Sequence, residues 1–162
     1  MTASTPPISK RTIRLAPYIL ALLCFLLPFV EVSCQGQKLA SLSGFQLAMG
    51  TTVDVPDPIS GQAKSQRLND EPGIAWAFWL TVCALVLALS SFKKMKLWAA
   101  LGGAGAFVSM LVAKSHMDKE ILTQGGGLVS ISCTFGFILA CLLQIVGAVI
   151  SGIQSRQPEE EE

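Results

Sequence analysis

Four long stretches without a charged residue limit what this chain can fold into: 15–30, 73–92, 97–113 and 121–155. A helix needs about 20 apolar residues to cross the roughly 30 Å hydrocarbon core of a bilayer. Each run reaches or approaches that length, and together they take about half of the 162 residues. Charged residues make up 14% of the chain, against roughly 25% in soluble domains, and they gather in the gaps between the runs. The expected fold class is an all-α membrane protein: a four-transmembrane-helix bundle with a small extracytoplasmic β-hairpin cap. It is read as a single domain over 1–162, with spans at about 15–32, 73–92, 97–113 and 133–154 and outer loops at 33–72 and 114–132. The net charge of +1 leaves no electrostatic footprint for nucleic acid.

The basic residues set the orientation. Lys10, Arg11 and Arg14 precede the first run, Lys93, Lys94 and Lys96 fill the short gap between the second and third, and Arg156 follows the fourth. Four spans put these three places on one side, and short basic segments beside spans stay cytoplasmic. The opposite gaps carry Lys38, Lys64, Arg67, Lys114 and Lys119 over about twice the length. Both termini are therefore expected in the cytoplasm. A basic start followed by an apolar core is also the pattern of a signal peptide. Glu31 and Val32 break the small-residue cleavage pattern, however, and Glu31-Val32-Ser33-Cys34 fits a lipoprotein box only at its last two positions. The reading is an uncleaved first helix.

Within the runs, Pro17 is expected in the first turn of span one, with Pro28 bending or ending that helix just before Glu31. Trp76, Trp79 and Trp98 suit headgroup level. Small residues four apart let helix backbones approach closely. They are Ala99/Gly103, Gly102/Ala106 and Gly105/Ser109 in span three, and Gly136/Ala140, Gly147/Ser151 and Ala148/Gly152 in span four. Packing of these two spans in one bundle is the plain reading, and a dimer interface is the sharper one.

The fourth run is too long for one helix. Gly125-Gly126-Gly127 should break it, and Leu128-Val129-Ser130-Ile131-Ser132 alternates apolar and polar residues as a strand does. Val30-Glu31-Val32-Ser33 and Lys38-Leu39-Ala40-Ser41-Leu42 alternate too. Gln35-Gly36-Gln37 between them supplies a tight turn. A surface hairpin follows, with 128–132 available as a third strand. Ser43 reads as the N-cap of a short helix over 44–49, with Gly50 as its stop. Residues 51–72, with Pro56, Pro58 and Gly61, read as mobile or disordered.

The segment Pro28-Phe29-Val30-Glu31-Val32-Ser33-Cys34-Gln35-Gly36-Gln37, followed by Leu42-Ser43-Gly44-Phe45-Gln46-Leu47-Ala48, resembles a signature of small bacterial four-span membrane proteins of uncharacterised role. Their pattern is PF-x-x-V-S-C-x-G-Q, then L-S-G-x-Q-L-A-x-G. The resemblance implies a bacterial cytoplasmic membrane and an ordered first half of the outer loop. It brings no activity.

Chemistry-bearing candidates are few. Of the five cysteines, Cys24, Cys83 and Cys141 lie within spans as small apolar residues. Cys34 and Cys133 both fall near the outer boundary, where an oxidising compartment allows a disulfide. No pair has metal-ligand spacing, and no Cys-x-x-Cys pair offers redox chemistry. Glu31, the one acid beside a span, is an interfacial anchor or, more sharply, an ion or proton site. Gln144 is the strongly polar residue deep in an apolar run, expected to hydrogen-bond another helix. His116, the single histidine, reads as a solvated loop residue. The resulting expectation is a non-enzymatic multi-pass membrane protein without cofactor, acting through contacts with the lipid bilayer, a membrane-protein partner or its own copies. The alternative is a small oligomeric transporter or channel subunit, in which Glu31, Gln144 and Thr81 would converge on one cavity.

Overall fold

The structure, a computed structural model, describes residues 10–34, 37–56, 63–68, 70–90, 92–124 and 129–156. It is mostly helical, with a small sheet. The elements run α1 (Lys10–Cys24), β1 (Pro28–Cys34), β2 (Gln37–Ser43), α2 (Gly44–Met49), β3 (Thr51–Pro56), β4 (Ala63–Leu68), α3 (Pro72–Leu89), α4 (Lys93–Gln124), β5 (Val129–Cys133) and α5 (Phe135–Arg156). The helices α1, α3, α4 and α5 pack as a ring in which α1 and α4 each touch both α3 and α5. One end of the ring carries the sheet; the other carries the α3–α4 turn. Three helices are long and apolar enough to cross a membrane: α3, the stretch Lys94–Lys119 of α4, and α5.

The first helix departs from expectation at both ends. It starts at Lys10, so Pro17 lies inside it rather than in its first turn, and it stops at Cys24. Its 15 residues fall short of a span by themselves. The stop follows from Pro28, whose ring clashes with the carbonyl four residues back, that of Cys24. The chain instead makes a turn, with Phe25 N–H bonding Leu22 O (3.1 Å) and Leu27 N–H bonding Cys24 O (2.9 Å). The freed carbonyls find donors at the start of α2: Phe45 N–H meets Phe25 O at 2.8 Å and Gly44 N–H meets Leu27 O at 3.4 Å. An apolar environment tolerates irregular backbone only when it is satisfied in this way.

The cap follows the alternating pattern. β1 pairs antiparallel with β2 on one side and β5 on the other, giving the order β2-β1-β5. Ser43 caps α2, its hydroxyl accepting from Gln46 N–H at 3.2 Å, and the Gln46 side chain returns to Ser43 N–H at 3.0 Å. This capping box satisfies two orphan donors of a helix only 6 residues long. Gly50, with φ 73°, ends it. Beneath the sheet, Phe25, Phe29, Phe78, Phe45 and Phe137 form a chain of ring contacts with centroids 5.0–5.9 Å apart. Each such pair contributes about 0.5–1.5 kcal/mol beyond area burial.

Two loop expectations are corrected. Among the described residues of 51–71, β3 and β4 pair as an antiparallel ribbon, Thr51 opposite Leu68. Thr51, Thr52, Val53 and Val55 are β-branched, and such residues suit a pleated strand. The second correction concerns 114–132. α4 continues to Gln124 as one helix of 32 residues, supported past the apolar stretch by the Lys114–Asp118 ion pair (2.8 Å) one turn apart.

The ribbon's ends are held together from outside it, since Glu71 N–H bonds Leu47 O at 2.8 Å. Replacing 51–69 by a short glycine-serine linker should therefore leave the thermal midpoint in detergent nearly unchanged, a loss of about 1 kcal/mol or less. A large drop in that midpoint would show that the ribbon braces the ring.

The small residues do what packing requires. A Cβ on Gly73 would lie 2.6 Å from that of Ala113, and one on Gly102 would lie 3.1 Å from that of Ala84. These pairs fix α3 antiparallel to α4 at backbone contact. Gly136 presses on the Pro28 carbonyl, where a Cβ would stand 2.5 Å away. The outward faces are apolar on all four helices: Leu23, Val86, Leu101 and Ile153 are each more than two-fifths exposed. Trp76 and Trp79 are exposed near the sheet end, Trp98 near the turn end.

Candidate functional site, a polar axis inside the ring

Two polar contacts cross the ring on its diagonals. The first joins α3 to α5. Gln144 and Thr81 are both fully buried, near the middle of their helices. The Gln144 Nε2 donates to Thr81 Oγ1, and Thr81 in turn donates to the Ala77 carbonyl at 2.7 Å. Gln144 Oε1 is left with no hydrogen-bond partner among the described residues. A buried amide oxygen without a donor costs about 1–3 kcal/mol. One turn earlier on α5, Cys141 lies with its sulfur 4.0 Å from that of Met110 on α4.

The second contact joins α1 to α4 and α5. Tyr18 is fully buried, with its hydroxyl 3.0 Å from the Ala99 carbonyl and 3.2 Å from Ser151 Oγ. Its ring occupies the space between two glycines: a Cβ on Gly103 would come to 3.1 Å from it and one on Gly147 to 2.9 Å. One turn nearer the helix start, Arg14 is only 4% exposed. Its Nε donates to Ala88 O at 2.9 Å, its Nη2 to Ser90 O at 3.3 Å and its Nη1 to Gln154 Oε1 at 3.4 Å. The guanidinium thus closes the C-terminus of α3, where the helix dipole places partial negative charge.

Of the residues singled out in the sequence, Gln144 meets Thr81 as a bundle contact, and Glu31 stays apart from both. Glu31 pairs with Lys38 across the hairpin at 2.5 Å, and its side chain is 28% exposed, so it is a partly exposed, ion-paired residue of the cap. His116 is exposed but helical rather than in a loop, with Nδ1 3.6 Å from Glu71 Oε1. The expected Cys34–Cys133 bridge is not formed. Cys133 is a free thiol, and the β1–β5 register sets it opposite Val30 while Cys34 faces Val129. Four strand residues separate the two positions by ~13 Å, beyond the ~7 Å a disulfide spans. Both cysteines do lie on paired strands at the sheet end, as their positions beside the apolar runs suggested.

Tyr18 and Arg14 are site residues that the sequence did not single out as such, and Ser151 reads there only as a small packing residue. Tyr18 carried one signal: it is the only tyrosine, it lies in a charge-free run, and a buried phenol needs a partner. Arg14 counted only as a topology charge. Among the described residues, no three His, Cys, Asp or Glu side chains gather where a metal would be held. No protein-family model matches the chain, and neither a curated protein nor a solved structure does.

Proposed function

We propose that the chain is a non-enzymatic multi-pass protein of a bacterial cytoplasmic membrane, working through contacts with lipid and with a membrane-protein partner. The observation that carries this is the inversion of polarity. Apolar side chains face outward on every long helix, while Arg14, Tyr18, Thr81 and Ser151 spend their hydrogen bonds on the interior. Such a surface is unstable in water and suited to hydrocarbon. Two contacts support a fourth crossing by α1. Its Arg14 meets Gln154 near one end of α5, and Pro28 abuts Gly136 near the other. The helical stretch from Gly136 to Gln154 rises ~27 Å, nearly the thickness of the hydrocarbon. α1, its turn and the first residue of β1 cover the same height. The expected result of reporter fusions is a cytoplasmic signal after Lys96 and at the C-terminus, and an external one near Ser60 and after Gln124. An external C-terminus would overturn the four-span reading. Affinity purification in mild detergent then identifies the partner, and recovery of the chain alone would count against the partner half of the proposal.

A second reading, an oligomeric transporter or channel subunit, is favoured by one feature: the orphaned Gln144 oxygen midway along the ring. Gln144→Leu separates the two readings. Thr81 keeps its bond to Ala77, so stability should change by less than about 1 kcal/mol, in either direction. If vesicles containing the wild-type protein show an ion flux that this variant abolishes while staying folded, the transport reading replaces the first.

A further inference from the structure

We propose that the turn end of the ring, at the start of α4, holds an anionic phospholipid, its phosphate against Lys94, with Lys96 adding positive charge at the same end, and an acyl chain along the face beyond Trp98. The proposal rests on the membrane reading above and adds the class of lipid.

Two observations meet here. The first is unpaired positive charge. Lys94 is exposed and Lys96 half-buried, and neither joins an ion pair among the described residues. Arg14 adds charge to the same end, its guanidinium bonded to the carbonyls of Ala88 and Ser90 and to the Gln154 amide oxygen. Every acidic residue among those described lies elsewhere: in the cap, in the ribbon, or on the parts of α3 and α4 that adjoin them. The second is an ordered stripe. Lys94, Trp98, Leu101, Val108 and Val112 recur at helical spacing on one face of α4, with Trp98 61%, Leu101 53%, Val108 56% and Val112 58% exposed. Read from the turn inward, the order is cation, indole, then branched aliphatic. That is the order of a phosphate, the glycerol region and an acyl chain. From Trp98 to Val112 the face rises ~21 Å, most of the hydrocarbon depth.

Charge complementarity selects an anionic headgroup over a zwitterionic one. One basic residue near an anionic surface is worth about 1 kcal/mol, roughly a fivefold preference. The test uses the full chain with Trp76→Phe and Trp79→Phe, both exposed positions, so that Trp98 is the sole tryptophan and is excited selectively over Tyr18. It is reconstituted with brominated phosphatidylglycerol or brominated phosphatidylcholine at equal mole fraction. Phosphatidylglycerol should quench Trp98 as if enriched about fivefold or more beside it. The preference should vanish at high salt and in the Lys94→Gln/Lys96→Gln variant, while quenching by phosphatidylcholine stays unchanged. Equal quenching by the two lipids in the unsubstituted background would overturn the lipid assignment and leave the membrane reading intact. A preference that survives the lysine substitutions would overturn the assignment of the phosphate to these side chains. Quenching by neither lipid would overturn the membrane reading itself.

Discussion

Gly136→Leu should abolish recovery of monodisperse protein from detergent. Gly136 opens α5 where α5 passes under the start of β1, and an added Cβ would meet the Pro28 carbonyl at 2.5 Å and the Leu27 Cβ at 2.9 Å. The nearest obstacle is backbone, so no rotamer change relieves it. Moving α5 away would break Thr134 N–H to Phe29 O (2.9 Å), the Thr134 hydroxyl bond to Pro28 O, and the edge-to-face contact of Phe137 on Phe29. Overpacking costs about 1–3 kcal/mol where side chains give way. Here the loss should reach or exceed the top of that range. Gly152→Ala is the control: its Cβ would meet Ala100 at 4.0 Å, an ordinary contact. It should leave the thermal midpoint unchanged or slightly raised, since alanine favours the helix by about 1 kcal/mol over glycine. If Gly136→Leu purifies with a normal midpoint, the close seating of β1 on α5 is wrong.

Arg14→Ala should be the next most damaging change. It removes three charge-assisted donors from Ala88 O, Ser90 O and Gln154 Oε1 and opens a cavity at the junction of α1, α3 and α5. Hydrogen bonds to charged groups contribute about 1.5–3 kcal/mol each, and water reaching this end returns part of that, so a net loss of about 3 kcal/mol is expected. Arg14→Lys should recover less than half, because one ammonium cannot fork to three acceptors set around a plane. The measurement is thermal unfolding in neutral detergent for the three proteins side by side. Equal midpoints for Arg14→Lys and wild type would show that charge alone, not the fork, holds the end of α3.

What the residues settled by themselves is what local physics can settle. The absence of charge over 73–92, 97–113 and 133–154 placed α3, the apolar part of α4 and α5, because length and polarity decide whether a helix suits hydrocarbon. Period-two alternation around Gln35-Gly36-Gln37 gave the β1–β2 pairing. The same alternation in 128–132 gave β5, and Ser43 with Gly50 gave α2 to the residue. Polarity misled where helix propensity continued past the apolar stretch, so α4 runs on through Lys114 and His116. It misled again at 51–56, where two prolines and a glycine nearby outweighed a β-branched run.

Only packing decided the rest. Pro28 required a break, but the turn at 25–27 stands because α2 returns to donate to its carbonyls. Alternation is unchanged by a shift of two residues, so the sequence could bring β5 beside β1 without setting which residues face each other. The seating of Gly136 and Thr134 on Pro28 and Phe29 fixed that register and left Cys133 opposite Val30. Gln144 announced its need for a partner, yet Thr81 became that partner because the ring sets α3 diagonally across from α5. Tyr18 found Ala99 and Ser151 for the same reason on the other diagonal, in a gap that Gly103 and Gly147 leave open. Patterning along the chain fixes which faces turn inward; which inward residues touch depends on how closely the backbones approach, and that is a property of the assembled ring.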